Sequence, residues 1–447
     1  MYQLLFVVVN YLITSDIKIL IIFLAVFLSS NRLYSEELLN RSVDDIVFKL
    51  AVIGPSEKIS SWGGHTLMVE ENKNNNFSRS IDFGIAVFNS NKILIDKSIN
   101  RIYASRVFTN IDFGPFFNED RDIVLYTLDF DVKGKIAILN YVENLVRPEN
   151  RFYKFHIIRN NCSTGMRDLI NIGTHGQLEN YAKNIFGRMS IRSHINRFTW
   201  RNDIYSWLFD LLLGQTYDEI PNVWNEMFLP SEIAYAIDSF YYTDATGNKR
   251  KLLVKTEILN SSKTFESYLQ STKKQWVKPL ILSLIIATLL FIIKIKRHHS
   301  RRIYGIIWGV INSITGLILG FSGCILFLGY YFWSDYVQYN INILFINPLL
   351  IIIFPIGIFI AIGNTICHKT ILTNKKQSSN RYIYAETILK LLWTYVFLAG
   401  IVSMVVKVLP MFYQQNQAVV CLVLPIAFVL SIIPEVLRNA ITVKRLL

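Results

Sequence analysis

Long runs of apolar residues dominate the sequence from residue 276 to its end, and they constrain the fold more than any other feature. Each run approaches or exceeds the roughly 20 apolar residues that a helix needs to cross a bilayer. We therefore predict an all-α domain of five transmembrane helices. The predicted spans are Val277–Ile293, a stretch within Ile303–Phe332, Ile343–Ile362, Ala385–Val406 and Ala418–Leu437.

The basic residues of this region predict its topology. Lysines and arginines cluster after the first, third and fifth spans, whereas the loop after the second span has none and the loop after the fourth has only Lys407. Because basic loops stay in the cytoplasm, we expect a multi-pass protein of the bacterial inner membrane with a cytoplasmic C-terminus. Residues 36–275 are then periplasmic. These clusters also account for much of the net charge of +13, so we exclude nucleic acid as a partner.

The N-terminus carries a second export signal. Lys18 precedes the apolar run Ile19–Leu28, and Ser35 offers a cleavage position. A run of about ten apolar residues has the length of a signal peptide rather than of a span. The earlier apolar stretch Leu4–Leu12 leaves two alternatives open, a start codon further downstream or an uncleaved anchor. The predicted division is a signal peptide or anchor over residues 1–35, an extracytoplasmic domain over 36–275 and the transmembrane domain over 276–447.

The pattern within residues 36–275 predicts an α+β domain. Thr66–Val69 and Ser80–Phe88 read as strands on either side of the polar stretch Glu71–Asn76, which is typical of a hairpin. Residues 190–275 read as mainly helical and loop-rich. The remaining predicted elements are the strands Asp122–Phe130 and Tyr153–Ile158 and the helices Lys133–Leu145 and Ser163–Ile172.

Cys162 is the one cysteine outside the apolar C-terminal region, since Cys324, Cys367 and Cys421 lie in or beside its runs. It stands where an amphipathic helix is predicted to begin, and the positive end of a helix dipole favours the thiolate. An unpaired thiol in an exported domain is a candidate reactive group. The alternative is a small buried core residue, the usual role of a free cysteine. No metal and no cofactor is expected, because no second cysteine accompanies it.

Four histidines of the exported domain are candidate bases for this thiol. His65 follows two glycines at the start of a predicted strand, where there is room for a substrate and the imidazole is held on rigid structure. His156 alternates within a predicted strand, as an ordinary strand-face histidine does. His175 and His194 lie in polar stretches and are expected to face solvent. His65 is therefore the preferred partner of Cys162.

Several short motifs follow one another in this domain. They are Ser61-x-Gly63-Gly64-His65-Thr66, Asp82-Phe83-Gly84, Tyr153-x-Phe155, Asn161-Cys162-Ser163-Thr164-x-x-Arg167-Asp168, Leu213-Gly214 and Met227-Phe228-Leu229-Pro230. In this order, and ahead of five predicted spans, they resemble the lipoprotein N-acyltransferase Lnb family. Gly165 departs from the family pattern where a polar or basic residue is expected, and Gly63 where an aromatic residue is common. Both departures are expected to affect substrate fit.

The resemblance implies a Cys–His enzyme with a permuted papain-like (NlpC-P60-like) fold, in which Cys162 is the nucleophile and His65 its base. Asp82 is the candidate that orients the imidazole. The backbone N–H groups of Cys162 and Ser163, with the Asn161 amide, are candidate oxyanion donors. The implied reaction moves an acyl chain from a membrane phospholipid, through a Cys162 thioester, to the N-terminal amine of a diacylglyceryl-cysteine lipoprotein. The implied partners are these two lipids and the bilayer.

Two other functions remain as alternatives. A membrane-anchored Cys–His hydrolase, such as a peptidase or amidase of the cell envelope, would use the same dyad but has little need of five spans. A non-enzymatic membrane receptor or transport subunit would leave the thiol inert. The charged residues of the predicted spans lie near their ends and leave no charged pathway through the membrane, which argues mildly against transport. These residues are Glu386, Lys390 and Glu435.

Tryptophans near the membrane region are candidates for the headgroup level, where Trp is enriched. Core packing is the competing role, and we expect it for at least half of them. The four residues are Trp200, Trp207, Trp224 and Trp276.

Overall fold

The structure is a computed structural model of the chain. It describes residues 43–58, 61–72, 74, 77–86, 103–150, 152–199, 202–263, 276–299, 301–332, 334–366 and 375–433. The predicted signal peptide or anchor, Trp200, Cys367 and the end of the fifth predicted span lie outside these residues.

An antiparallel sheet of seven described strands forms the centre of the exported domain. The order across it is β6-β4-β3-β2-β1-β5-β9, and β7 and β8 form a separate hairpin. The strands are β1 (Ile46–Ile53), β2 (His65–Asn72), β3 (Phe77–Ala86), β4 (Tyr103–Thr109), β5 (Ile123–Leu128), β6 (Phe152–Lys154), β7 (Tyr241–Thr243), β8 (Lys249–Lys251) and β9 (Leu253–Asn260).

Helices cover this sheet and make up most of the C-terminal part. In the exported domain they are α1 (Gly114–Asn118), α2 (Val132–Val146), α3 (Cys162–Gly173), α4 (Gln177–Lys183), α5 (Ile191–Thr199), α6 (Asp203–Leu212), α7 (Val223–Glu226) and α8 (Pro230–Asp238). In the C-terminal part they are α9 (Val277–His299), α10 (Arg301–Phe332), α11 (Ser334–Val337), α12 (Ile353–Ile366), α13 (Lys375–Val405) and α14 (Gln417–Leu430).

The main core lies between one face of the sheet and helices α2, α3 and α8. Alternate residues of β1 are buried, and they belong to the same cluster as the apolar face of α3. That face consists of Met166, Leu169 and Ile170, each 0% exposed. Full burial of a side chain of this size contributes about 1.5–3 kcal/mol. This packing seats α3 across β2 and β3 and sets where its first residue lies.

Most predicted elements of the exported domain are confirmed. The hairpin is β2 paired antiparallel with β3, and the predicted strand at Asp122 is β5. The two predicted helices are α2 and α3. The domain thus combines helices and strands as expected, although residues 190–275 also contain β7, β8 and the sheet-edge strand β9.

The predicted strand Tyr153–Ile158 is wrong beyond Lys154. His156 and Asn160 instead close a tight turn through reciprocal backbone hydrogen bonds of 2.8 and 3.1 Å. The His156 ring stabilises it, because Nδ1 accepts from the backbone N–H groups of Ile158 and Arg159 at 3.1 and 3.0 Å. The turn reverses the chain just before α3.

The prediction of five transmembrane helices is confirmed only in part. Among the described residues, three helices are long and apolar enough to cross a membrane, over Val277–Arg297, Arg302–Phe332 and Arg381–Val408. The third and fifth predicted spans correspond to the shorter apolar helices Pro348–Gly363 and Gln417–Leu430.

The exported domain contacts the membrane part through the end of α6 and the loop after it. Gly214 donates its N–H to the Tyr336 carbonyl at 2.8 Å. A Cβ at Gly214 would lie 1.9 Å from the Gln338 carbonyl oxygen, so only glycine allows this approach. Asn340 adds side-chain hydrogen bonds to the carbonyls of Leu211 and Leu212 at 2.7 and 3.1 Å. The polar contacts hold the two parts together.

Candidate active site

Cys162 is the first residue of α3, and a reciprocal capping box sets the start of this helix. The Asn161 Oδ1 accepts from the Thr164 backbone N–H at 2.9 Å. The Asn161 backbone N–H in turn donates to Thr164 Oγ1 at 2.8 Å. Such caps stabilise a helix start by about 1 kcal/mol. They hold the thiol at the positive end of the helix dipole.

The Asn161 side chain also ties this helix start to two other segments. Its Nδ2 donates to the carbonyls of Ile157 and Phe228 at 2.6 and 3.0 Å. An amide nitrogen carries two hydrogens, so both are used within the fold. The amide is therefore a structural link between these segments, and its expected part in stabilising an oxyanion stays a prediction.

His65 is the first residue of β2, and it lies beside Asp82 of β3. Gly64 before it has φ +90°, and a Cβ there would lie 2.6 Å from the Ile53 carbonyl oxygen, so the turn into β2 requires glycine. Leu67 pairs with Asp82 in the sheet, which places the carboxylate diagonally opposite His65. His65 Nε2 is 3.0 Å from Asp82 Oδ1, with the two side chains 20% and 16% exposed.

Cys162 lies close enough to the same imidazole for the two groups to interact electrostatically. Burial alone lowers the pKa of His65, but the negative charges of Asp82 and of the Cys162 thiolate outweigh it and raise the pKa to about 10. For Cys162, burial acts in the opposite direction and raises the pKa of the thiol. The neighbouring imidazolium outweighs burial, so the pKa of the thiol is lowered overall. The arrangement favours a thiolate–imidazolium pair.

The backbone N–H of Thr66, the residue after His65, lies near the sulfur and lowers the pKa of the thiol. The Thr66 hydroxyl is committed elsewhere, to the Ala51 carbonyl at 2.8 Å. The first N–H groups of a helix have no intrahelical acceptor, and those of Cys162 and Ser163 find none among the described residues. The sequence did not single out Thr66, since its role depends on the β2–α3 contact.

Gly165 and Gly63 both stand where close packing leaves little room for a side chain, and their expected effect on substrate fit stays a prediction. A Cβ at Gly165 would lie 2.8 Å from the ring of Phe83, which is buried in the core on β3. A Cβ at Gly63 would lie 3.0 Å from Leu229 Cδ2. The missing side chain at Gly165 lets α3 approach β3 closely enough for Cys162 to contact His65.

The other three histidines lie in separate surroundings. His156 stacks on Tyr336 at 4.6 Å, and burial together with Arg159 lowers its pKa to about 4. His175 is partly buried and pairs with Asp131 at 2.9 Å. The expectation that His194 faces solvent is wrong, because it is 0% exposed. It lies on α5, whose polar side packs inward.

His194 belongs to a set that we call the buried ion cluster. It consists of His194, Glu226, Glu232, Arg188 and Arg197. One nitrogen or oxygen from each of His194, Glu226 and Glu232 lies within 4.8 Å of the others, which is the one grouping of possible metal ligands among the described residues. The Glu232 carboxylate already receives Arg188 and Arg197 at 2.5 and 2.7 Å, however. The two guanidinium groups thus supply the positive charge that a metal ion would bring to this carboxylate.

Comparison with known proteins identifies the region around Cys162. Residues 117–197, from the end of α1 into α5, match the family model described as the Lnb N-terminal periplasmic domain. The match supports membership of the Lnb family. This confirms the resemblance carried by the short motifs. No curated protein and no solved structure matches this chain. The matched stretch includes Cys162, whereas His65 and Asp82 lie before it. The matched periplasmic domain and the apolar helices together support a membrane protein with a periplasmic domain.

Proposed function

We propose that this Lnb protein is a thiol-dependent lipoprotein N-acyltransferase with Cys162 as its nucleophile. The observation that carries the proposal is the contact between a helix-start thiol and an imidazole that Asp82 holds at 3.0 Å. Cysteine activated by an adjacent base is the usual arrangement for covalent acyl transfer. A helix that carries the nucleophile, packed on an antiparallel sheet that carries the histidine, also supports the permuted papain-like fold.

In the first step the Cys162 thiolate attacks an ester carbonyl of a phospholipid. The carbonyl oxygen becomes an oxyanion, and the free N–H groups of Cys162 and Ser163 are placed to stabilise it. Collapse of this intermediate breaks the ester C–O bond. The leaving lysophospholipid oxygen takes its proton from the His65 imidazolium, and the acyl chain stays on sulfur as a thioester.

In the second step an amine attacks the thioester. The acceptor is the N-terminal amine of a diacylglyceryl-cysteine lipoprotein. His65, now neutral, takes a proton from the attacking nitrogen, the C–S bond breaks, and the amide product leaves. The thiolate–imidazolium pair is thereby restored. Asp82 keeps the imidazole oriented and stabilises its charged form through both steps.

The membrane part supports a reaction between two lipid-anchored substrates. Confinement of enzyme and both substrates to one surface raises their effective concentration. We also propose that the chain has five spans and a cytoplasmic C-terminus, as its alternating basic loops indicate. C-terminal fusions test this topology: green fluorescent protein should be bright there and alkaline phosphatase inactive.

Mass spectrometry of a reporter lipoprotein tests the function. The reporter is coexpressed with wild type, Cys162→Ala or His65→Ala in a host depleted of its own N-acyltransferase. Cys324→Ala is the matched control, because that half-buried cysteine lies in α10, in the membrane part. We expect the N-terminal peptide to gain an acyl chain with wild type and the control alone.

Two results would contradict the proposal. Acylation that survives Cys162→Ala would exclude this thiol as the nucleophile. Folded, membrane-inserted wild type that releases fatty acid or cleaves cell-wall peptides without acylating the reporter would instead identify a hydrolase.

A further inference from the structure

Helix α6 has an inverted arrangement of polar and apolar side chains. Ser206 and Asp210 on its inner side are 2% and 3% exposed, whereas Ile204 and Leu208 on its outer side are 71% and 41% exposed. Helices of water-soluble domains bury their apolar side. Ile204 and Leu208 lie four residues apart and therefore share one face, and none of the described part of the chain covers them.

The polar inner side of α6 is built into the fold. Asp210 Oδ1 lies 3.6 Å from Nη1 of the buried Arg192 and 3.3 Å from Nδ2 of Asn196. Asn202 caps the helix by accepting from the Tyr205 N–H at 3.2 Å. A rotation that buried the apolar side would break these contacts. The outward apolar face is thus part of the native arrangement of α6.

The apolar face of α6 is continuous with the membrane part. Leu211 and Leu212, one turn beyond Leu208, pack against the core formed by the apolar helices. At the other end of α6, Asp203 pairs with Lys278 of α9 at 2.8 Å. Lys278 stands at the start of the first candidate span. The start of α6 is therefore tied to the start of α9, and its end packs against the core of the apolar helices.

We propose that α6 lies in the periplasmic leaflet as an interfacial helix, with Ile204 and Leu208 among the lipid acyl chains. Interfacial helices bury an apolar face by about 5–10 Å while their polar side stays outside. Here the protein itself satisfies the polar side. The occupant of the face is then the lipid that also covers the exposed α9 residues Ile281 and Ile285, which are 55% and 54% exposed.

This placement brings the membrane surface to the candidate active site. Phe209 of α6 contacts Trp62, with ring centroids 5.7 Å apart. Trp62 stands three residues before His65, in the loop that enters β2. A lipid ester beside α6 would thus lie next to the dyad, a consequence that rests on the proposed function. Trp207, also on α6 and half-buried, is then at the headgroup level.

Fluorescence quenching tests the lipid contact without any assay of activity. The full chain, with its four native cysteines replaced, receives a single cysteine at Ile204 or Leu208 that is labelled with an environment-sensitive dye. Val254 is the matched control. It is 65% exposed and lies on β9, at the end of the sheet away from His65. Vesicles of phosphatidylethanolamine and phosphatidylglycerol carry a doxyl group on the acyl chain near the headgroup. We expect both α6 sites to lose most of their fluorescence and the Val254 site to keep it.

A pair of aspartate variants in the native-cysteine chain provides a second test. Ile204→Asp should lower acyl transfer from vesicle phospholipid at least several-fold, whereas Val254→Asp should not. Alkylation of Cys162 by iodoacetamide should stay at the wild-type rate in both. If the Ile204 site were quenched no more than a Val254 site that keeps its fluorescence, the inference would be overturned. In that case water or another segment of the chain, and not lipid, would cover α6. Normal transfer by Ile204→Asp would overturn its functional consequence alone.

Discussion

Asp82→Asn offers the sharpest test of how the dyad is tuned, because it removes one charge and keeps the shape. At 3.0 Å and an effective dielectric constant of about 20, two unit charges attract by about 5–6 kcal/mol. Both side chains retain some solvent contact, so this is an upper bound. Opposite charges at such distances shift a pKa by roughly 1–3 units, which corresponds to about 1.4–4 kcal/mol.

The sign of the effect follows from which form Asp82 stabilises. The carboxylate favours the imidazolium, so it keeps His65 protonated until the pH rises through a pKa of about 10. Without it, His65 should lose its proton roughly 1–3 pH units lower. The carboxylate also raises the pKa of Cys162 by repulsion. Its removal should therefore not raise the pH at which activity appears on the acidic side of the pH profile. On the alkaline side, the activity of Asp82→Asn should be lost at a lower pH than that of wild type.

The assay is the pH dependence of kcat/KM for acyl transfer from a fluorescent phospholipid to a synthetic diacylated lipopeptide. Asp168→Asn is the matched control, since Asp168 is half-exposed and pairs with Arg167 at 2.8 Å. It should leave the alkaline limb in place. An unchanged alkaline limb in Asp82→Asn would refute the argument that Asp82 sets the protonation of His65.

Three further substitutions test the supporting structure. Gly165→Ala should destabilise the domain by about 1–3 kcal/mol, because its Cβ would lie 2.8 Å from the Phe83 ring; thermal unfolding measures this, and Phe83→Leu should recover part of the loss. Asn161→Ala removes a cap and leaves two carbonyls unpaired, so it should lower the free energy of unfolding by about 3 kcal/mol or more. Asn222→Ala removes a single cap bond, and its loss in thermal unfolding should be smaller. Gly214→Ala should separate the exported domain from the membrane part, seen as faster hydrogen exchange over residues 334–342, and unchanged exchange would contradict the contact.

Local features of the sequence predicted the elements that bear the dyad. An Asn-Cys-x-Thr run before an apolar face encodes a capped helix start, and α3 begins one residue before the predicted position. Alternation on either side of an Asn-rich turn encodes the β2–β3 hairpin. Because both signals are short-range, neither needs knowledge of the rest of the chain. The proximity of His65 to Asp82 then follows from the hairpin register.

Long-range features could not be predicted in the same way. Strand β9 pairs with β5 across more than a hundred residues of intervening chain, and its exposed Val254 and Ile258 break the usual alternation. The burial of His194 depends on carboxylates from α7 and α8. The third predicted span is shortened because Pro348 opens a 3-10 stretch ahead of α12. Each outcome depends on partners that the local sequence does not contain.

The buried ion cluster is best explained as a brace for the active site. Both guanidinium groups already pair with Glu232, and His194 pairs with Glu226, so a bound dication would add charge repulsion to the desolvation that buried ions suffer. Glu226 and Glu232 stand on either side of the segment 227–231 and anchor both of its ends. Within that segment the Phe228 carbonyl accepts from the Asn161 amide, and Leu229 packs against Gly63. The cluster therefore holds the cap of helix α3 and the loop before His65 on one rigid support.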